Sequence, residues 1–505
     1  MGIVIILSLS IIVILGISYL TKLRQRHGLS HANGCRPATK YPHWDPVLGL
    51  DLFFMTGKLF EENRYLPNLV ERYAKLGRTF ETNLLGSPSI NTIEPRNLQT
   101  VYVAKSKDWG VQPVRLPAQE PFCGRGFITT DGTQWEHSRA LLKPSFNRAN
   151  IDLVALERGL RLVLGRIPKD GSSVDLQPLF LQLYLDTATS FLFGESFNSL
   201  DGTVSDVAEN FMKAFDHAMF GSGFRIALGR FKFLWPTGRW LESCQTTHRF
   251  VDQYVDKALQ YRERLLTETK GARSADEGNL SVGQNLIYAM AEQTADRKTL
   301  RNESLQAMMA AQETTAVLIS NVMFLLARHQ DVWHRLREEV LPLDSQNLDA
   351  DAVQSVPFLR HVLNETLRLY PVFPQMNRVA LNDTTLPLGG GPDGKSPIFV
   401  HAGTMFDTAF FVLHRLPSIW GLDADKFRPD RWATFKPQTW EYVPFGGGPR
   451  GCAGQYKALT EASYIIVRIL HEFKSIESRD EREWTGQVQL TAKNLHGCKV
   501  ALTPA

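Results

Sequence analysis

The sequence predicts a mainly α-helical fold with small β-sheets, preceded by one N-terminal transmembrane helix, and three observations carry that expectation. Helical periodicity dominates from about residue 52 onward, with long stretches over 180–193, 250–269, 300–329 and 459–473. Short β-like runs are confined to places such as 79–85 and 396–400. Residues 3–20 form an uncharged apolar run of about the length a helix needs to cross a bilayer core.

The N-terminal run reads as a single-pass anchor over residues 1–21. No positive residue precedes it, no Ala-x-Ala site follows it, and Lys22, Arg24 and Arg26 lie just after it, which argues against a cleaved signal peptide. By the positive-inside rule the rest of the chain stays in the cytosol. Residues 22–50 carry Pro37, Pro42 and Pro46 and suit a stiff connector, and residues 51–505 form the main domain. The polar segment 271–279 reads as an exposed loop before the longest helical stretch.

Composition excludes several classes. A chain of 505 residues that is 43% hydrophobic can bury a large core. Its net charge of +4, without basic runs interleaved with aromatics, leaves no nucleic-acid footprint. Cys35, Cys123, Cys244, Cys452 and Cys498 are odd in number and scattered, with no CxxC pair, so a disulfide framework is not expected.

The strongest local signal is residues 445–454, a Gly-rich loop running from Phe445 to Cys452 where a helical stretch begins. A thiolate near a helix N-terminus is stabilised by unpaired backbone N–H groups, and glycines let a flat cofactor lie against the loop. Arg450, two residues earlier, is placed to neutralise a carboxylate of that cofactor. Two other readings stand beside this one. The loop is a tight turn with an incidental cysteine, or Gly446, Gly448 and Gly451 form a dinucleotide-type GxGxxG, for which no leading strand is visible. Residues 389–396 also satisfy the P-loop pattern GxxxxGK[ST], but Pro397 and the apolar residues after it favour a strand where a P-loop needs a helix.

The pattern Phe-x-x-Gly-x-Arg-x-Cys-x-Gly resembles the haem-binding loop of the cytochrome P450 superfamily, and four further marks follow in the family's order. Glu365 and Arg368 are similar to its ExxR, and the segment 427–432 supplies Arg431, so the resemblance implies a structural Glu365–Arg368–Arg431 triad. Residues 310–315 resemble the acid-alcohol motif, which assigns Thr314 to hydrogen-bonding dioxygen and Glu313 to relaying protons. Trp135 and Arg139 look like the WxxxR that holds a haem propionate, with Arg378 a further propionate partner by position. The implied fold is the cytochrome P450 fold, and the implied cofactor is haem b with Cys452 as axial thiolate ligand. The implied reaction is oxygen insertion into a small apolar substrate, with electrons from NADPH through NADPH-cytochrome P450 reductase, at the endoplasmic reticulum membrane.

Several stretches are similar to the fungal alkane- and fatty-acid-hydroxylating branch, among them 124–139 and 460–463. The chain departs from that branch at Gly451 and Ala453 beside the cysteine, and at Gln312 and Glu313 in the acid-alcohol motif. These departures fit an enzyme specialised for a fungal secondary-metabolite pathway, tailoring a polyketide or terpenoid, as well as they fit a fatty-acid or n-alkane ω-hydroxylase; the specialised enzyme is the expectation and the hydroxylase the alternative. A haem-thiolate protein that isomerises or dehydrates its ligand and a P-loop NTPase are the readings of other classes.

Overall fold

Residue 21 and residues 24–268, 285–345 and 347–505 are described by a computed structural model. The apolar run 3–20 and the loop 271–279 lie outside the described residues. The chain divides into two compact units.

The first unit comprises the described residues up to Phe54 together with Leu69–Gly110 and Met376–Ala409. Thr79–Leu84 and Ser87–Thr92 pair antiparallel, joined through Leu85 and Gly86 at φ 50 and 70°. Two left-handed residues give the turn whose twist matches the flanking strands. Met405–Thr408, Met376–Ala380 and Trp109–Gly110 extend the sheet on one side. On the other side Thr39–Lys40, from the Pro-rich segment, adds a short parallel strand. Phe80 and Phe406 are fully buried against it.

A separate hairpin of the same unit pairs Thr384–Gly390 with Ser396–Val400. Its tip is closed by Gly389 N–H donating to Gly394 O at 2.7 Å. Exposed Lys395 therefore precedes a strand, and no helix N-terminus is there to receive a phosphate, which removes the P-loop reading.

The second unit comprises Met55–Asn68, Val111–Gln375 and Phe410–Ala505. Five helices position the site: α1 (Gly132–Leu142), α2 (Arg297–Ala311), α3 (Thr314–Leu326), α4 (Pro357–Leu369) and α5 (Gln455–Glu472). In α3 every residue from 315 to 326 is buried, so it is apolar all round and sits at the centre. It packs on α4, α5 and the helix Leu176–Phe193. Arg297–Leu326 is long and apolar enough to cross a membrane by length and composition, yet 78% of its apolar window is buried in the unit. A second core gathers Phe193, Phe211, Phe215, Trp240 and Phe250 between the helices Asp206–Leu228 and Gly238–Glu268.

One expectation is corrected here. The stretch 300–329, read as a single helix, is two: α2 ends at Ala311 and α3 begins at Thr314, with Glu313 at φ −125° between them. The apolar pattern runs across the junction unbroken, so periodicity alone does not reveal it.

Candidate active site

The cysteine loop is built by backbone constraints. Gly446 and Gly448 both adopt φ 67°, and a Cβ on Gly447 would lie 2.5 Å from the Trp440 ring, so side chains are refused at three successive positions. Gly451 N–H donates to Gly448 O and Cys452 N–H donates to Phe445 O, each at 3.0 Å. Phe445 itself packs against the core under the loop. Helix α5 starts at Gln455, three residues after the cysteine.

Of the five cysteines, Cys452 is the exposed one. Burial pushes the thiols of Cys123 and Cys498 far up and that of Cys244 up to about 12, which leaves them inert. The protein atoms crowding Cys452 also raise its thiol. Against that, the Gly454 N–H and the Arg139 guanidinium favour the thiolate.

Helix α1 is tied to this loop twice. Arg139 donates to Gly451 O at 2.7 Å. Arg450 lies with its guanidinium 4.4 Å from the centre of the Trp135 ring and donates to Asp131 at 2.8 Å and to Thr130 O at 2.6 Å. Arg450, expected to offer its charge to a cofactor carboxylate, thus already pairs with Asp131. That aspartate also accepts from Val111 and Gln112 N–H, and its position just before Gly132 was the signal available in the sequence. Ser138 and Phe127 N–H both reach the buried Glu303 of α2, whose carboxyl burial pushes up to about 7.

The acid-alcohol motif occupies the junction of α2 and α3. Residues 302–309 and 315–326 are buried, whereas Ala310 is exposed and 311–314 are half-buried, so the two core helices open to space at their junction. Thr314 Oγ1 donates to Ala310 O at 3.0 Å, spanning the junction. Gln312 Oε1 is buried without a hydrogen-bond partner. Glu313 pairs with Lys493 at 3.1 Å, a partner that sequence reasoning missed.

The expected triad is assembled. Glu365 receives both Arg368 donors, at 2.8 and 2.9 Å, and Arg431 Nε at 3.4 Å, with all three side chains buried. Trp432 Nε1 at 2.9 Å and Arg428 N–H at 3.0 Å complete the carboxylate's shell. Arg368 also donates to His414 O and Ala424 O, and His414 Nε2 accepts Val443 N–H at 3.0 Å, so the triad is wired to the strand of chain entering the cysteine loop. Arg378 belongs to the first unit, where it is buried over the Tyr102 ring and donates to Asn377 O.

Comparison with known proteins identifies the family. Residues 46–494 match the family model described as Cytochrome P450. The chain is 38% identical over 487 residues to cytochrome P450 monooxygenase himC of Aspergillus japonicus, covering 95% of this chain and 86% of that protein. It is 36% identical to cytochrome P450 monooxygenase iccC of Talaromyces variabilis, covering 93% of each chain, and 36% identical to cytochrome P450 monooxygenase fsdH of Fusarium heterosporum, covering 93% and 83%. The crystal structure of the cytochrome P450DA heme domain superposes with a TM-score of 0.74 over 93% of this chain and 98% of that one, at 20% identity, a likeness of fold.

Proposed function

The chain belongs to the cytochrome P450 family and is a monooxygenase, and from that premise we propose that it is a microsomal haem-thiolate enzyme that oxidises a small apolar, alkyl-bearing substrate in fungal secondary metabolism. Full-length kinship with three monooxygenases from different fungi supports this reading over a fatty-acid or n-alkane ω-hydroxylase.

Family membership implies haem with a cysteine thiolate ligand, and the residues present fit it. An exposed soft sulfur stands on a loop that refuses side chains. The core helices open at their junction, residues 310–314, beside the unpartnered Gln312 Oε1. Cys452 would ligate the iron of haem b through its sulfur, Trp135 and Arg139 on α1 would hold the group from beside the loop, Arg450 would keep α1 in place through Asp131, and Phe445 would support the loop from the core. When bound, the haem supplies activation of dioxygen for insertion of one oxygen atom into a C–H bond.

The chain's own residues do the rest. Arg139 stabilises the sulfur anion and fixes the carbonyl next to it. Glu313 holds and moves protons at its carboxylate, and Thr314 presents a hydroxyl whose lone pairs stay available while its proton bonds Ala310 O. The apolar run over residues 1–21 serves as a single-pass anchor in the endoplasmic reticulum membrane, with the catalytic domain in the cytosol and NADPH-cytochrome P450 reductase as electron donor. That assignment rests on the sequence.

Exposed Cys452, held between Phe445 O and the Arg139 guanidinium, is the observation that carries the reading. The test is the spectrum of the purified, reduced protein under carbon monoxide. A thiolate-shifted Soret band, lost in Cys452→Ala, is expected. A protein that purifies without haem and takes up none would overturn it.

A further inference from the structure

We infer that Lys493 is a positioning residue for the reaction, holding the Glu313 carboxylate in the orientation from which protons reach the space faced by Thr314. The inference rests on the roles assigned above to Glu313 and Thr314.

Glu313 occupies the N-cap position of α3, yet its side chain does not cap that helix. A carboxylate there is favoured by the unpaired N–H groups of the first turn, so something must draw it away. Lys493 does so, with Nζ 3.1 Å from Oε1. Both side chains are largely enclosed, 22% and 14% exposed, at the junction where α2 and α3 open to space. In such partial enclosure a charge pair is screened less than at an open surface, and it orients more than it stabilises.

The hairpin that carries Lys493 does not depend on the ammonium. Gly486–Val488 and Ala492–Asn494 pair through their backbones, Ala492 N–H donates to Val372 O at 2.9 Å, and the Asn494 side chain ties the hairpin to Gly497. A structural role for the ammonium is thus already filled by other bonds. A third charge faces the pair: Asp216, on the helix Asp206–Leu228, has its carboxyl raised by burial and then by Glu313, and lowered by Lys493.

The proton balance is closed. Glu313 takes one proton from solvent, passes one toward the oxygen being reduced, and returns to the same carboxylate beside Lys493. Without the ammonium, the carboxylate is free to turn back onto the α3 N-terminus, out of reach.

The test uses the full-length, haem-loaded chain with its reductase and compares Lys493→Met, Lys493→Arg, Glu313→Gln and the Lys493→Met/Glu313→Gln double variant. Lys493→Met should slow NADPH-driven oxygen consumption by about ten-fold. It should leave cumene-hydroperoxide-driven oxidation of guaiacol unchanged, because that oxidant arrives already reduced. Lys493→Arg should restore the NADPH-driven rate, the double variant should be no slower than Glu313→Gln, and the thermal midpoint of Lys493→Met should stay at that of the unsubstituted chain. Wild-type rates in Lys493→Met, equal slowing of both reactions, or a double variant slower than Glu313→Gln would overturn the role of Lys493. Absence of the carbon monoxide band in the unsubstituted protein would instead overturn the parent reading.

Discussion

Arg139 reaches from α1 to the carbonyl of Gly451 at 2.7 Å, so the residue before the exposed cysteine is held by a side chain 312 positions earlier in the chain. The same guanidinium favours the Cys452 thiolate. Geometry and electrostatics at the sulfur thus share a single side chain.

Replacing Arg139 with Ala removes a charge-assisted hydrogen bond worth about 1.5–3 kcal/mol and lets crowding push the thiol further up. The expected outcome is a lower haem-to-protein ratio and a larger fraction of reduced protein whose carbon monoxide band lies at the unshifted position. Lys at this position should recover part of the thiolate band, because the charge returns without the fixed fork. Spectra of the three proteins check this, and identical bands would refute it.

Glu365 has every acceptor site used, by Arg368, Arg431, Trp432 and the Arg428 N–H, in a fully buried setting. Removing the carboxylate leaves the buried Arg368 guanidinium without a carboxylate partner, while Arg431 retains Asp423 at 3.1 Å, so Glu365→Ala should cost about 3–5 kcal/mol. Arg368→Lys should fail as a rescue, since an ammonium cannot serve the carboxylate bidentately and still reach the His414 and Ala424 carbonyls. Thermal unfolding and soluble yield provide the measure. A midpoint near that of the unsubstituted chain would show the triad to be dispensable.

Burial pushes the Glu303 carboxyl up to about 7, only partly offset by Ser138 and the Phe127 N–H. Its folded value therefore lies above its ordinary value near 4.5, and the folded state binds more protons between these limits. Stability from this group is present at low pH and is lost as pH rises through that window, by about 1.4 kcal/mol per unit at most. Glu303→Gln keeps an acceptor for Phe127 and abolishes the titration. Denaturant unfolding from pH 5 to 8 should show a flatter slope in the variant, and parallel curves would count against it.

The parts legible in the sequence share one property: they are local patterns whose spacing alone implies geometry. The glycines around Cys452, the Glu365–Arg368 pair one helical turn apart, and the Trp135–Arg139 face all survive unchanged in the structure. What escaped reading was fixed by tertiary contact. Asp131 meets Arg450 across 319 positions and Lys493 meets Glu313 across 180, separations at which no periodicity operates. The junction between α2 and α3 escaped because its neighbours are uniformly apolar, and Thr39–Lys40 because two residues are too few to display an alternating pattern.

His414 behaves oppositely to Glu303. Its Nε2 accepts the Val443 N–H, so the ring is neutral, and burial together with the nearby Arg368 and Arg415 charges pushes its pKa down to about 3. The folded value lies below the ordinary 6.5, so the unfolded chain binds the extra proton in between. Stability is fully present above about 6.5 and is lost as pH falls, by about 1.4 kcal/mol per unit, until the folded ring itself is protonated. His414→Gln offers an acceptor to Val443 without a titrating ring. Its unfolding free energy should fall less steeply from pH 6.5 to 4 than that of the unsubstituted chain, even where its value at pH 7 is lower. Because acidic residues titrate in both proteins, the difference between the two curves isolates the histidine, and a difference that stays constant with pH would show that this ring does not carry the acid limb.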